Sequence, residues 1–272
     1  MLALGHRLFA ASILGLMLSL SITAGALSQS DRLLSRIEVY VPAGLHVMTS
    51  RTSVERDGDR YAITANLQSR GLAGVFIDIA SRAETKGRIT ERGARPENYH
   101  AETRRNGVER RSQVAFATDG TASGGNNGMP TLIAAKDLRG TVDDLTGWFL
   151  VERQLGRGGK CDMVVPVFDG YARYNMRFSD AGEQDLSPSG GQNFAGKARV
   201  CLMKREDISG PPAGEPESAP RSGKLWYAKL VPVEQAQVIR LELETDAGSV
   251  SGYLAEIRGT TQGRPVDVHL ME

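Results

Sequence analysis

The stretch Met163-Val164-Val165-Pro166-Val167-Phe168-Asp169-Gly170-Tyr171-Ala172-Arg173-Tyr174-Asn175-Met176-Arg177-Phe178 decides the fold class. It holds two runs of strand-forming residues on either side of Asp169-Gly170. An Asp-Gly pair suits a two-residue type I′ turn, because both of its central residues take positive φ. Phe168 and Tyr171 are then expected to face each other as a cross-strand aromatic pair. On this reading Phe168, Asp169, Gly170 and Tyr171 form a turn and not an active site, with Arg173 and Tyr174 on the returning strand.

The same signal recurs outward. Asp57-Gly58 separates Leu45–Val54 from Tyr61–Leu67, where Tyr61, Ile63, Ala65 and Leu67 share one face. Asn106-Gly107 separates Tyr99–Arg105 from Val108–Ala117. Further strands are expected at Ile37–Val41, Ala198–Met203, Leu225–Val231, Val238–Glu244 and Gly252–Ile257. Short strands repeated between turn signals predict a mainly β chain, arranged as a barrel, half-barrel or wound sheet.

One amphipathic helix is expected over about residues 142–156. Thr141, Asp143 or Asp144 can cap it, since a side-chain oxygen accepts the orphan backbone donors of the first turn. Leu145, Trp148, Phe149 and Leu155 fall at helical spacing, and the reading places Trp148 and Phe149 in the core, not in a ligand box. A helical turn is expected over Gly71–Ile79. Asp119–Pro130 reads as a loop, as does the Pro-rich segment 209–220, which has too many prolines for a sheet interior.

The N-terminus reads as an export signal, with Arg7 followed by an apolar run from Leu8 to Ile22 and the small-x-small site Ala24-Gly25-Ala26. Cleavage is expected after Ala26. That leaves residues 27–272 as a single β-rich periplasmic domain with no transmembrane segment. The chain has 33 Lys+Arg and 32 Asp+Glu, and loss of Arg7 with the signal makes the rest formally neutral. This argues against a nucleic-acid partner, which calls for a basic excess. Both cysteines, Cys161 and Cys201, lie in the exported part, and in an oxidising compartment such a pair is expected to form a structural disulfide. No C-x-x-C pattern suggests thiol exchange.

No catalytic, metal or cofactor motif is read from the sequence. Gly248-Ser249-Val250-Ser251-Gly252 has Val where a hydrolase nucleophile would stand and reads as a turn. Gly191 to Ala198 resembles a phosphate loop but lacks the final hydroxyl, at Ala198. His46, His100 and His269 are not at ligand spacing. Arg104, Arg105, Arg110 and Arg111 surround the Asn106-Gly107 turn as the solvated end of a hairpin; a sharper reading makes them an anion-facing patch toward lipid headgroups or cell-wall polymer.

Several of these pieces together resemble the uncharacterised periplasmic family called domain of unknown function 3108. They are Cys161, Val167-Phe168-Asp169-Gly170, Tyr171-Ala172-Arg173-Tyr174-Asn175 and Phe194 to Cys201. Gly44-Leu45-His46-Val47, Arg95 to Tyr99, Asp143-Asp144-Leu145-Thr146 and Leu225-Trp226-Tyr227 add to them. Tyr171 and Ala172 replace the usual Arg pair, Asn175 replaces Asp, and Asp144 replaces Pro. The resemblance implies a long antiparallel sheet wound into an open barrel or spiral, and no established chemistry. The leading functional reading is a non-catalytic envelope protein that binds an apolar or amphipathic ligand, or a partner protein, and supports envelope integrity. The alternatives are an envelope hydrolase with dispersed catalytic residues and a periplasmic scaffold.

Overall fold

A computed structural model describes residues 30–42, 44–69, 78–91, 93–209, 220–245 and 248–271. The signal segment, most of the Gly71–Ile79 turn and nearly all of the 209–220 loop lie outside the described residues. Within them the chain forms one antiparallel sheet of 15 strands.

Strands β1 (Asp31–Tyr40), β2 (His46–Asp57), β3 (Arg60–Ser69), β4 (Ile79–Thr90), β5 (Gly93–Arg105), β6 (Val108–Phe116), β7 (Ala122–Asn126) and β8 (Met129–Pro130) pair in sequence order as one meander. Strands β9 (Met163–Phe168), β10 (Arg173–Leu186), β11 (Gly196–Ser209), β12 (Ser222–Ala228), β13 (Gln237–Thr245) and β14 (Gly248–Thr261) form a second. The pairing of β1 with β14 joins them, and β15 (Arg264–His269) pairs with the C-terminal half of β14.

The sheet order ends at β8 and β9, so the barrel is open. Helices α1 (Ala135–Leu138) and α2 (Asp144–Gly156) come from the crossover between those two strands. Val142, just before α2, forms a parallel bridge with Val167 on the free edge of β9, and its backbone amide donates to the Pro166 carbonyl at 2.9 Å. That pairing satisfies part of an edge that would otherwise present open backbone groups. The fully buried Phe168 then packs with Val114, Phe116 and Leu138, which belong to the other end of the sheet and to α1. The two ends thus meet through side chains instead of a ladder. Helix α2 fills the space between them, touching β3, β4, β5 and β9.

Several sequence expectations need correction. The Asn106-Gly107 turn forms with both residues at positive φ, and Arg105 pairs with Val108. The first hairpin turns one residue later than expected, on Gly58-Asp59, because Asp57 pairs with Arg60. Phe168 pairs with Arg173 and not with Tyr171. The third turn is therefore four residues long, held by the Asp169 carboxylate, which accepts from the Tyr171 and Ala172 amides at 2.8 and 2.7 Å. The 119–130 segment is not a plain loop. It carries β7 and β8 around a further turn with Asn127 and Gly128 at positive φ. Its glycines permit this pairing, since a Cβ at Gly125 would lie 1.8 Å from the Met129 carbonyl oxygen. Gly248–Gly252 opens strand β14 and is not a turn. Helix α2 is buried on more than one side: Val151 joins one core cluster and Phe149 another.

Gly170 sits at φ 86, and a Cβ there would lie 2.9 Å from the Gly125 carbonyl oxygen and 3.0 Å from Ser112 Cβ. Gly170→Val is expected to destabilise by about 2–3 kcal/mol, from backbone strain plus this clash between the two ends of the sheet. Asp169→Asn keeps the accepting oxygen and should shift stability by less than about 1 kcal/mol. Urea unfolding of both variants checks the pair.

Candidate functional site

In a strand, alternate side chains point to opposite faces. On β5, Tyr99, Ala101, Thr103 and Arg105 point inward, while Glu102 and Arg104 point to solvent. Repeated around strands β1–β6, β10, β11, β13 and β14, this leaves an interior cavity of about 760 Å³. One wall is aliphatic, with Ile37, Val39, Leu67, Leu241, Leu243 and Val250. A band of small residues, Ser50, Ser81, Ala83, Ala101 and Ser112, leaves the space open. The cavity reaches the strand ends at Val41, Asn106, Val108, Pro220 and Thr245, which form its mouth.

The floor is polar. Asp144 and Trp148 enter from α2, and Asp169 and Tyr171 from the β9–β10 turn. Tyr99 and Tyr174 stand beside them. Asp143 is the fully buried N-cap of α2; its carboxylate accepts from the Thr146 amide at 2.9 Å, the Thr146 hydroxyl at 2.7 Å and the Thr85 hydroxyl at 2.9 Å. Burial raises the pKa of Asp143 and of Asp169 despite the hydrogen bonds each accepts. Asp144 has fewer such bonds. Burial first, then the charges of Asp143 and Asp169, push it up to about 7, against a hydrogen bond from Tyr99. The Arg205 guanidinium lies 4.0 Å over the Tyr174 ring and adds a buried positive charge near Asp169.

Asp144 makes stability pH-dependent. Its folded pKa lies above its ordinary value of 3.8. The folded state therefore gains from protonation of Asp144 at low pH, and that gain is lost as pH rises through about 7. Asp144→Asn removes the dependence. The variant should gain on the parent between pH 4 and pH 8 by about 1–2 kcal/mol, reduced from the full linkage value by solvent in the cavity. Parallel pH-dependent urea curves for the two proteins would expose the assignment as wrong.

The predicted residues divide as follows. Cys161 and Cys201 are bonded, with Cα atoms 5.7 Å apart. Phe168 is core, while Asp169 and Tyr171 reach the cavity. Arg173 lies outside it and donates to the Asp137 carbonyl at 3.0 Å. The four arginines around Asn106-Gly107 do not form one patch. Strand alternation sends Arg104 and Arg111 outward, where they pair with Asp78 at 3.3 Å and Glu109 at 3.3 Å. Arg105 and Arg110 line the cavity, and Arg110 lies 4.6 Å over the Tyr171 ring. Trp148 is not wholly core, since it lines the cavity while meeting Phe178 edge-on at 5.5 Å. Gly190 and Gly191, at positive φ, turn the chain ahead of β11. Sequence reading missed Tyr99, Asp144 and Arg205 as cavity residues; inward alternation on their strands was the available signal for Tyr99 and Arg205, whereas Asp144 stands in the first turn of α2, outside any strand pattern. No described helix is long and apolar enough to cross a membrane.

No protein with a curated description matches the sequence. Among solved structures, the chain is similar to a beta-barrel-like protein of domain of unknown function DUF1849 from Brucella abortus. The identity is 10%, the TM-score 0.48, and the alignment covers 86% of this chain and 98% of that one. A family model described as "Protein of unknown function (DUF3108)" matches residues 36–255, and the chain belongs to that family.

Proposed function

We propose that this is a non-catalytic protein of the periplasmic envelope that holds one apolar or amphipathic ligand in its barrel lumen and supports envelope integrity. The observation that carries the reading is the lumen itself, about 760 Å³ with an aliphatic wall. A cavity of that size and lining suits a drug- to lipid-sized guest, and burial of apolar ligand surface drives entry. The polar floor and the inward Arg105 and Arg110 suit a guest with a polar end. The Cys161–Cys201 disulfide supports an oxidising compartment. Two of the three floor carboxylates have structural duties, Asp143 as a helix cap and Asp169 as a turn former, which supports a binding role over a catalytic one.

A second reading, an envelope hydrolase, draws on the raised pKa of Asp144, which suits a general acid near neutral pH. Titration of the mature protein with an environment-sensitive naphthylamine dye tests the leading reading. Saturable fluorescence enhancement at one dye per chain is expected. Absence of enhancement, or hydrolysis of envelope esters lost in Asp144→Asn, would favour the alternative.

A further inference from the structure

A second cleft, of about 650 Å³, opens where β1 begins, at the end of that strand remote from the lumen mouth at Val41. Asp31, Arg56, Arg157, Lys229 and Glu234 line it. Three guanidinium groups converge there on one carboxylate oxygen. Glu234 Oε2 lies 3.2 Å from Arg153 Nη2, 3.2 Å from Arg157 Nη2 and 3.6 Å from Arg56 Nη2. Three cations, Arg56, Arg157 and Lys229, line the cleft with two carboxylates, while Arg153 reaches Glu234 from the interior and Asp31 accepts from the Gln262 amide at 2.8 Å.

The imbalance reaches into the protein. Arg153 is only 2% exposed, and its Nε and Nη1 are buried without a hydrogen-bond partner, as is Arg56 Nε. Burial and the neighbouring Arg157 charge lower Arg153 to about 10. A buried cation is costly unless paired and hydrogen-bonded, and a single carboxylate shared three ways does not balance these. Guanidinium groups match oxyanions through charge-assisted, often bidentate hydrogen bonds.

We infer that this cleft is a binding site for an oxyanion of the phosphate class, either free or carried on a lipid headgroup, seated beside Glu234 between Arg56, Arg157 and Lys229. The site is separate from the lumen and does not rest on the lumen reading.

Inorganic phosphate is titrated into the mature protein at constant ionic strength, with calorimetry and thermal unfolding as readouts. Arg157, half exposed, is replaced in Arg157→Gln, and Glu234, the carboxylate occupying the site, in Glu234→Gln. The expected result is saturable binding, weakened about tenfold in Arg157→Gln, and a larger phosphate-dependent rise in Tm for Glu234→Gln than for the parent. A second arm compares phosphatidylglycerol with phosphatidylcholine vesicles. Binding to the former that is lost in Arg157→Gln assigns the headgroup, and phosphate binding without vesicle binding assigns a free oxyanion. No saturable binding in either arm, or equal responses in all three proteins, overturns the inference.

Discussion

Double replacement Cys161→Ser, Cys201→Ser is expected to lower unfolding free energy by about 4 kcal/mol, the chain-entropy value for a loop of this size. The half-cystines are 40 residues apart in sequence. Cys161 stands just ahead of β9 and Cys201 lies in β11, so the bond steps across β10, which pairs with both. Cys201 is opposite Asp180, and the β10–β11 register shifts between Asp180 and Glu183. The tie therefore sits beside a bulge, where the ladder alone holds register least firmly. Both cysteines are fully buried, in a core cluster with Met176, Phe178, Met203 and Leu225, and a serine hydroxyl there would also lack an apolar fit. Urea unfolding should show the variant and the reduced parent with similarly lowered midpoints. A loss below about 1 kcal/mol would mean that the packed cluster holds β9 to β11 without the bond.

Plugging the lumen should abolish ligand binding and leave the fold intact. Ala101 and Ser50 are inward residues on β5 and β2, in the band of small side chains that keeps the cavity open. Ala101→Trp with Ser50→Trp fills that space from two strands three places apart in the sheet. Because the indoles enter a cavity and not a packed core, overpacking strain should be small. Dye affinity is expected to fall at least about tenfold, a loss of about 1.4 kcal/mol or more, with Tm within a few degrees of the parent. Unchanged affinity in the folded double variant would place the dye elsewhere and remove the support for lumen binding.

The sheet was legible where turns carry strong local chemistry. Asn106-Gly107 and the Asp169 turn mark hairpins, because positive φ and carboxylate-to-amide bonds are written in residue types. Strand β4 was not legible. Ile79–Thr90 contains no aromatic residue and has Lys86-Gly87 in its interior, so it forms through pairing on both edges and not through propensity. Strands β7 and β8 escaped because glycine, elsewhere a loop signal, here permits close strand approach. Strand β15 did carry a signal: Gln262-Gly263 at positive φ followed by alternating Val266 and Val268. The Phe168–Tyr171 pairing failed by loop length, because Asp169 captures two successive amides and draws Tyr171 and Ala172 into the turn.

The lumen was the least legible part. Inward aliphatics such as Leu67 and Leu241 have the same period-2 pattern whether they fill a core or line a cavity. What separates the two is the size of the facing residues, and Ser50, Ser81 and Ala101 come together only through long-range register. The polar floor has the same origin. Asp144 is at a helix start, Tyr99 on β5 and Arg205 on β11, with no shared motif. The sequence did offer Asp143 as a helix cap, beside Thr141 and Asp144, since an oxygen-bearing side chain ahead of an apolar helical run is a local signal; the structure selects Asp143.

The central claim is that the lumen holds a ligand, and native mass spectrometry of the protein, purified without detergent from the cells that make it, tests it most directly. The account predicts one bound amphiphile per chain, visible as a discrete added mass and absent from the Ala101→Trp, Ser50→Trp variant. A parent protein with only the mass of its polypeptide, unchanged after incubation with envelope lipids, would contradict it.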